Sequence, residues 1–128
     1  FITHDLSVVR HISNDICVMY LGVLVEKSPS KELFKHQCHP YTEALLSAIP
    51  QPKLDKVKKR IILKGELTSP INIGNGCRFS PRCPYACDQC RTETPGLVEI
   101  SPSIYYSFRI FKRRCLHICI NNRCNKKG

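Results

Sequence analysis

Nine cysteines among 128 residues are the main chemical feature of this chain. Cys77, Cys83 and Cys90 follow the spacing Cys-x5-Cys-x6-Cys in a stretch rich in Gly, Pro and Asn. Thiolates are soft ligands that suit iron–sulfur clusters and zinc, and loops can wrap around such a centre. Because residues 71–95 have too few aliphatic side chains for a core of their own, a metal centre is predicted to replace it.

Other cysteine chemistry remains open. Cys87-x2-Cys90 is a tight pair of the kind used in tetrahedral zinc sites. A disulfide framework suits a short secreted chain, but the cysteine count is odd and no signal peptide can be read in these residues. Cys17 and Cys38 also lie in segments that have the patterns of a core strand and a helix entry. Metal binding, by an iron–sulfur cluster or by zinc, is therefore favoured over a disulfide framework. Reduced structural thiols are the remaining alternative.

His4 and Asp5 form a second candidate site. They follow apolar residues 1–3, which predict the end of a strand, and precede a helical pattern that starts at Leu6. A neutral imidazole at the carboxyl end of a strand can hydrogen-bond a phosphate oxygen or polarise a water molecule. Taken alone, a histidine at such a corner is more often a turn cap.

A β-hairpin is predicted to follow this helix. Residues 16–20 and 23–26 are rich in β-branched and aromatic side chains, and Leu21-Gly22 lies between them as a turn. The hairpin would continue the fold beside the His4 corner.

Two further helices and a strand complete the predicted elements. Ser30 is expected to cap a short helix, and Pro40 to begin a second one at a position where its missing N–H costs nothing. A Lys-rich surface linker follows, and residues 60–67 predict a short strand.

The order of these motifs resembles a known family. Residues 1–9, FITHDLSVV, and the hairpin segment 16–26 closely resemble the switch-histidine region of ABC ATPases of the peptide-transport family. Residues 39–50, HPYTEALLSAIP, resemble the His-Pro-Tyr-Thr helix of its oligopeptide and dipeptide branch. By resemblance, His4 contacts the γ-phosphate of ATP and Asp5 contributes to the contact across the ATPase dimer. The amphipathic pattern of the third segment itself indicates core packing.

The cysteine segment resembles the carboxy-terminal segment of the same family, in which members with four cysteines hold a 4Fe-4S cluster. The family's fourth cysteine would fall near residues 107–108, where this chain has none. Besides the three spaced cysteines, Cys115 is therefore the predicted fourth ligand, and Cys87 is the alternative, although its closeness to its neighbours implies strain. Arg78 and Arg82 are expected to favour thiolates and to offset the charge of the cluster.

The resemblance implies the partners of a complete subunit. That subunit binds ATP with Mg, pairs with a second ATP-binding subunit and drives membrane permease subunits that import peptides delivered by a binding protein. It is a peripheral protein of the cytoplasmic face of the membrane. Residues 1–100 correspond to the downstream third of the subunit, so the phosphate loop, Walker-B carboxylate and signature segment are expected before Phe1. Hydrolysis by these 128 residues alone is predicted to be absent.

Charge and hydropathy bear on two other classes of function, nucleic-acid binding and membrane spanning. The formal charge is +10, but residues 101–128 hold seven Lys or Arg and no Asp or Glu, so the basicity belongs to a tail. Two further hypotheses follow: a small metal-binding module that contacts nucleic acid through this tail, and a nonfunctional gene remnant. The transporter interpretation expects no nucleic acid. The apolar run 16–25 is shorter than the roughly 20 residues that a membrane-spanning helix needs.

The predicted fold class is therefore α/β or α+β. Residues 1–52 would end the P-loop NTPase core of an ABC ATPase, and residues 53–100 would form a loop-rich, cysteine-rich extension on its surface. Residues 101–128 would be an atypical basic tail, frameshifted or disordered.

Overall fold

The computed structural model describes residues 2–49, 60–65 and 74–107. Its strands form one four-stranded antiparallel sheet in the order β1-β2-β4-β3. The predicted mixture of α and β elements is confirmed in this part of the chain. The elements are α1 (Leu6–Ile12), β1 (Asp15–Tyr20), β2 (Val23–Pro29), α2 (Ser30–Lys35), α3 (Pro40–Ser47), a 3-10 turn (Ser80–Arg82), α4 (Asp88–Thr92), β3 (Val98–Ser101) and β4 (Ile104–Tyr106).

The predicted hairpin is present as β1 and β2. Leu21 and Gly22 form its two-residue turn with φ values of 46° and 77°, as expected for the turn whose twist matches the paired strands. On β1 the side chains of Ile16, Val18 and Tyr20 are buried and the intervening residues are exposed. This alternation places one face of the hairpin in the core.

The start of α2 differs from the prediction. Strand β2 continues to Pro29, and Ser30 is the first helical residue rather than its cap. The N–H of Ser30 donates to the carbonyl of Asn14 over 2.8 Å. Pairing across the hairpin therefore extends to Pro29, directly before the helix.

Two predicted strands are not strands in the described residues. Residues 60–65 have no regular structure; the Ile61 N–H donates to the Ser47 hydroxyl over 3.0 Å, and Leu63 packs on the core. Residues 2–5 form no strand either. His4 therefore lies in an irregular corner. The strand end predicted just before it is wrong for residues 2 and 3, the part of it that the structure describes.

The core joins the two segments that were predicted to be separate. Leu33 is 0% exposed and Phe79 is 1% exposed, and the latter belongs to the cysteine segment. Because Phe79 packs inside the core, the cysteine segment is not an extension that lies only on the surface. The core includes residues from both sides of the domain boundary expected near residue 52. The core cluster consists of Val9, Ile16, Val18, Tyr20, Val25, Leu33 and Phe79.

Residues 101–107 belong to the sheet. Strand β3 crosses the expected boundary after residue 100, and β4 pairs with β2 through Tyr106 opposite Glu26. Ser107 donates its N–H to the Val25 carbonyl over 2.8 Å. The atypical tail therefore cannot begin at residue 101; the rest of it, 108–128, lies outside the described residues.

None of the described helices has the length and hydropathy needed to cross a membrane.

Candidate functional site

The His4 corner is built by local hydrogen bonds that start α1. The Asp5 N–H donates to the hydroxyl of Thr3 over 3.0 Å, and the Asp5 carboxylate accepts from Ser7 N–H at 2.9 Å and Val8 N–H at 3.4 Å. Asp5 is thus the N-cap of the helix, a role that an Asp just before a helical pattern can signal. His4 is exposed at this corner, where a ligand could reach its imidazole.

Glu26 is a structural residue that the sequence interpretation missed. Its side chain is fully buried, and its two carboxylate oxygens accept the Cys38 N–H at 2.9 Å and the His39 N–H at 3.0 Å. Burial raises the pKa of Glu26, while the backbone donors oppose the shift. The carboxylate therefore links the start of α3 to the sheet. The sequence shows only an acidic residue at the end of an apolar run, and that pattern does not indicate this role.

His39 is the N-cap of α3. Its Nδ1 accepts the N–H of Tyr41 over 3.1 Å, which requires the neutral ring, and its side chain is 1% exposed. Burial lowers the pKa of His39 to about 4. With Pro40 in the first turn, the His-Pro pair begins the helix, and packing within the core is confirmed as its structural role.

Phe79 and Arg78 attach the cysteine segment to the hairpin and α3. The Phe79 ring centre lies 5.2 Å from that of Tyr20 and 5.7 Å from that of Tyr41. The Arg78 guanidinium donates to the carbonyl of Leu21 in the hairpin turn. Arg78 therefore serves as a backbone anchor, which its predicted role beside thiolates did not include.

Four cysteines of the segment lie close to one another. The Cys87 and Cys90 sulfurs are 3.4 Å apart, and the Cys77 N–H donates to the Cys90 carbonyl over 2.8 Å. Burial raises the pKa of Cys83 to about 11, and the neighbouring thiols of Cys77, Cys90 and Cys87 also raise it. The expectation that flanking arginines favour a thiolate is therefore wrong for Cys83, because desolvation dominates.

The predicted ligand set is only partly assembled. Within residues 2–49, 60–65 and 74–107, no group of three or more His, Cys, Asp or Glu side chains has an arrangement that could hold a metal ion. Cys115 lies outside the described residues, whereas Cys87 lies beside Cys90. No disulfide joins the six cysteines of this part of the chain. The four neighbouring thiols have suitable donor chemistry for zinc or an iron–sulfur centre, but they do not converge on one point.

Gly76 allows the cysteine segment to close on itself. A Cβ atom at this position would lie 2.3 Å from the Arg91 carbonyl oxygen, a distance that no side chain tolerates. A Cβ at Gly74 would meet nothing within 4 Å. Gly76 therefore permits the close approach that brings Cys77 to Cys90.

Comparison with known proteins identifies the family. Residues 25–90 match the model described as the oligopeptide/dipeptide transporter, C-terminal region. This match runs from within β2 through α2 and α3 to Cys90 of the cysteine segment, and the chain belongs to that family.

Individual relatives agree with this assignment. A dipeptide transport ATP-binding protein of Haemophilus influenzae is 50% identical over 77% of this chain and 30% of its own length. A di/tripeptide transport ATP-binding protein of Pseudomonas aeruginosa is 48% identical over 76% of this chain and 30% of its own. An oligopeptide transport ATP-binding protein of Bacillus subtilis is 48% identical over 87% of this chain and 34% of its own.

These coverages have two consequences. The chain spans about a third of the length of the curated relatives that it matches. A match over 87% of 128 residues must also extend past residue 100 wherever it begins. The expectation that family similarity ends near residue 100 is therefore wrong.

Proposed function

We propose that this chain acts as the carboxy-terminal region of the ATP-binding subunit of an ABC importer of oligopeptides or dipeptides. The observation that carries the proposal is the family match over residues 25–90, which spans both the core helix α3 and the docked cysteine segment. In the complete subunit, ATP with Mg would be bound and hydrolysed to drive peptide import. The phosphate loop and Walker-B carboxylate required for this chemistry are not among the 128 residues.

The partners follow from the same proposal. A second ATP-binding subunit would complete the nucleotide sites, and membrane permease subunits would receive the conformational change. A peptide-binding protein would act indirectly, by delivering cargo, and nucleic acid has no part. The subunit would be peripheral to the membrane, on its cytoplasmic side.

His4 is the proposed γ-phosphate contact. Its side chain is exposed, and the Asp5 cap holds the adjacent backbone, so the imidazole is available to a phosphate oxygen. His4→Ala in the complete, reconstituted transporter is expected to lower the ATP hydrolysis rate about 100-fold, as loss of one transition-state donor does. Phosphate release at saturating ATP measures this.

His11→Ala is the matched control, because His11 is an exposed histidine in the last turn of α1, the helix that follows the His4 corner. It is expected to hydrolyse ATP at the wild-type rate. Wild-type turnover by His4→Ala, or an equal loss in both variants, would refute the assignment of His4.

Asp5 is proposed to contribute its charge to the contact between two ATP-binding subunits. Asn caps helices about as well as Asp, so Asp5→Asn preserves α1 and removes only the charge. We expect Asp5→Asn to weaken ATP-dependent pairing, measured by sedimentation, without lowering the thermal midpoint of unfolding. Pairing equal to wild type would contradict this role.

We also infer that Cys77, Cys83 and Cys90 bind a metal centre, a 4Fe-4S cluster or zinc. We propose Cys87, the alternative in the sequence prediction, as the fourth ligand in place of Cys115, because Cys87 lies beside Cys90. Four neighbouring thiols are the support, and side-chain movement would have to bring them to one point. Iron, sulfide and zinc analysis of anaerobically purified protein tests this. Cys87→Ser should lose the metal and Cys115→Ser retain it; the opposite result would reassign the fourth ligand, and metal-free wild type would refute the centre.

A further inference from the structure

Cys87 and Cys90 form a close pair at the start of a short helix. Cys87 lies immediately before α4, Cys90 lies inside it, and the Cys90 N–H donates to the Cys87 carbonyl over 2.9 Å. Their sulfurs are 3.4 Å apart, whereas a disulfide bond needs about 2.05 Å. The two sulfurs therefore need to approach by only a little over 1 Å to form the bond.

The two thiols differ in access. Cys90 is 4% exposed, whereas Cys87 is only partly covered. Thiol–disulfide exchange depends on access to the attacking sulfur, so a small-molecule disulfide would meet Cys87 before Cys90. The pair therefore combines one accessible sulfur with one resolving sulfur held beside it.

We propose that Cys87 and Cys90 are a redox-active dithiol that a low-molecular-weight disulfide converts into an intramolecular disulfide in the metal-free protein. The Cys87 thiolate attacks one sulfur of the oxidant, which forms a mixed disulfide and releases one thiol. The Cys90 thiolate then attacks the Cys87 sulfur and releases the second thiol. Two electrons pass to the oxidant, and its two sulfurs take up the two protons that the cysteines lose.

The surrounding structure keeps the pair aligned. The Cys90 carbonyl accepts the Cys77 N–H, and the backbone at Gly76 approaches the Cys90 and Arg91 carbonyls so closely that no side chain would fit between them. Phe79, two residues beyond Cys77, is fixed in the core. The dithiol is therefore held at the start of α4, next to a segment that is anchored in the core.

The test uses the purified full-length protein, treated with a chelator to remove metal and then with oxidised glutathione. Free thiols are trapped by acid and alkylation, and peptides are mapped by mass spectrometry. We expect a Cys87–Cys90 disulfide that dithiothreitol reverses, and loss of alkylation at both residues together. A disulfide that joins other cysteines instead, or persistent alkylation of both residues, would overturn the proposal.

Single substitutions separate the two steps. Cys90→Ser should stop at a stable glutathione adduct on Cys87, because the resolving sulfur is missing. Cys87→Ser should leave Cys90 largely unmodified, because Cys90 is buried. Cys17→Ser, which replaces an exposed cysteine on β1, should form the Cys87–Cys90 disulfide at the wild-type rate. Equal glutathione uptake by Cys90 in Cys87→Ser would contradict the assigned order of attack.

Discussion

The hairpin with α2 and α3 and the cysteine segment contribute to one core in different ways. Strand β1 buries every second side chain, so its role follows from an alternating pattern. The cysteine segment has no such periodicity, yet Phe79 enters the centre of the core and Arg78 attaches to the hairpin turn. A segment without an aliphatic pattern can therefore complete a core through one aromatic ring and one long donor.

The two regions also differ in how they bury ionisable groups. Beside the sheet, the Glu26 carboxylate and the His39 imidazole each accept backbone N–H groups and have fixed structural roles. In the cysteine segment the neighbouring groups are thiols: the Cys87 and Cys90 sulfurs are 3.4 Å apart, and burial and nearby thiols raise the pKa of Cys83. The first arrangement stabilises a helix start, whereas the second leaves reactive sulfur atoms near the surface.

Phe79 belongs to the cysteine segment but packs in the core of the other region, so its removal should have the largest effect on stability. We expect Phe79→Ala to lower the free energy of unfolding by about 3–5 kcal/mol, because it leaves a large cavity between Tyr20 and Tyr41. Urea unfolding of the purified protein measures this. Val98→Ala, at a residue 56% exposed, should change it by less than about 0.5 kcal/mol. A similarly small effect at Phe79 would show that the cysteine segment is only loosely attached.

Acidification should lower the stability of the region that contains His39. Its folded-state pKa is about 4 against an ordinary 6.5, so the unfolded chain takes up the proton first as the pH falls. The stability due to neutral His39 is thus complete above pH 6.5 and is lost toward pH 4, about 3 kcal/mol in all.

His39→Asn isolates this contribution, because Asn can accept the Tyr41 N–H as a cap but does not titrate. The raised pKa of Glu26 gives a slope of opposite sign in both proteins, so the difference between them belongs to His39. As the pH falls through this range, the free energy of unfolding of wild type should drop by about 3 kcal/mol relative to that of His39→Asn. Parallel curves would contradict the buried neutral imidazole.

A substitution at Gly76, where the backbone of the cysteine segment closes on itself, should have a smaller effect on stability. Gly76→Ala is expected to lower the free energy of unfolding by about 1–3 kcal/mol, because its methyl group would overlap the Arg91 carbonyl. Gly74→Ala, where the same methyl group meets open space, is the matched control. Thermal unfolding compares them, and equal midpoints would mean that the segment closes differently.

The smallest effect is expected at the anchor in the hairpin turn. Arg78→Ala should cost about 1–2 kcal/mol, because the Leu21 carbonyl loses its charged donor. Arg91→Ala, at an exposed position of α4, should be nearly neutral. Urea midpoints that rank the two variants in reverse order would remove Arg78 as an anchor.

Local patterns were sufficient to predict some elements. Leu21-Gly22 between two β-rich runs specifies a tight turn, and His39-Pro40 specifies a helix start. The strand predicted at residues 60–67 is absent from its described part, because Ile61 bonds to a serine hydroxyl and not to a neighbouring strand. Strand propensity alone does not supply a partner.

The sequence by itself determined the family, the hairpin and the candidate residues His4, Asp5 and the spaced cysteines, because these depend on residue type and short-range spacing. Only the tertiary structure decided that Glu26 accepts two N–H groups just before α3, that Phe79 completes the core and that the Cys77 N–H meets the Cys90 carbonyl. Each of these depends on contacts between separate turns and strands, or on the path of the backbone around a glycine. Such distances follow from how the whole core closes, and the order of residues does not specify them.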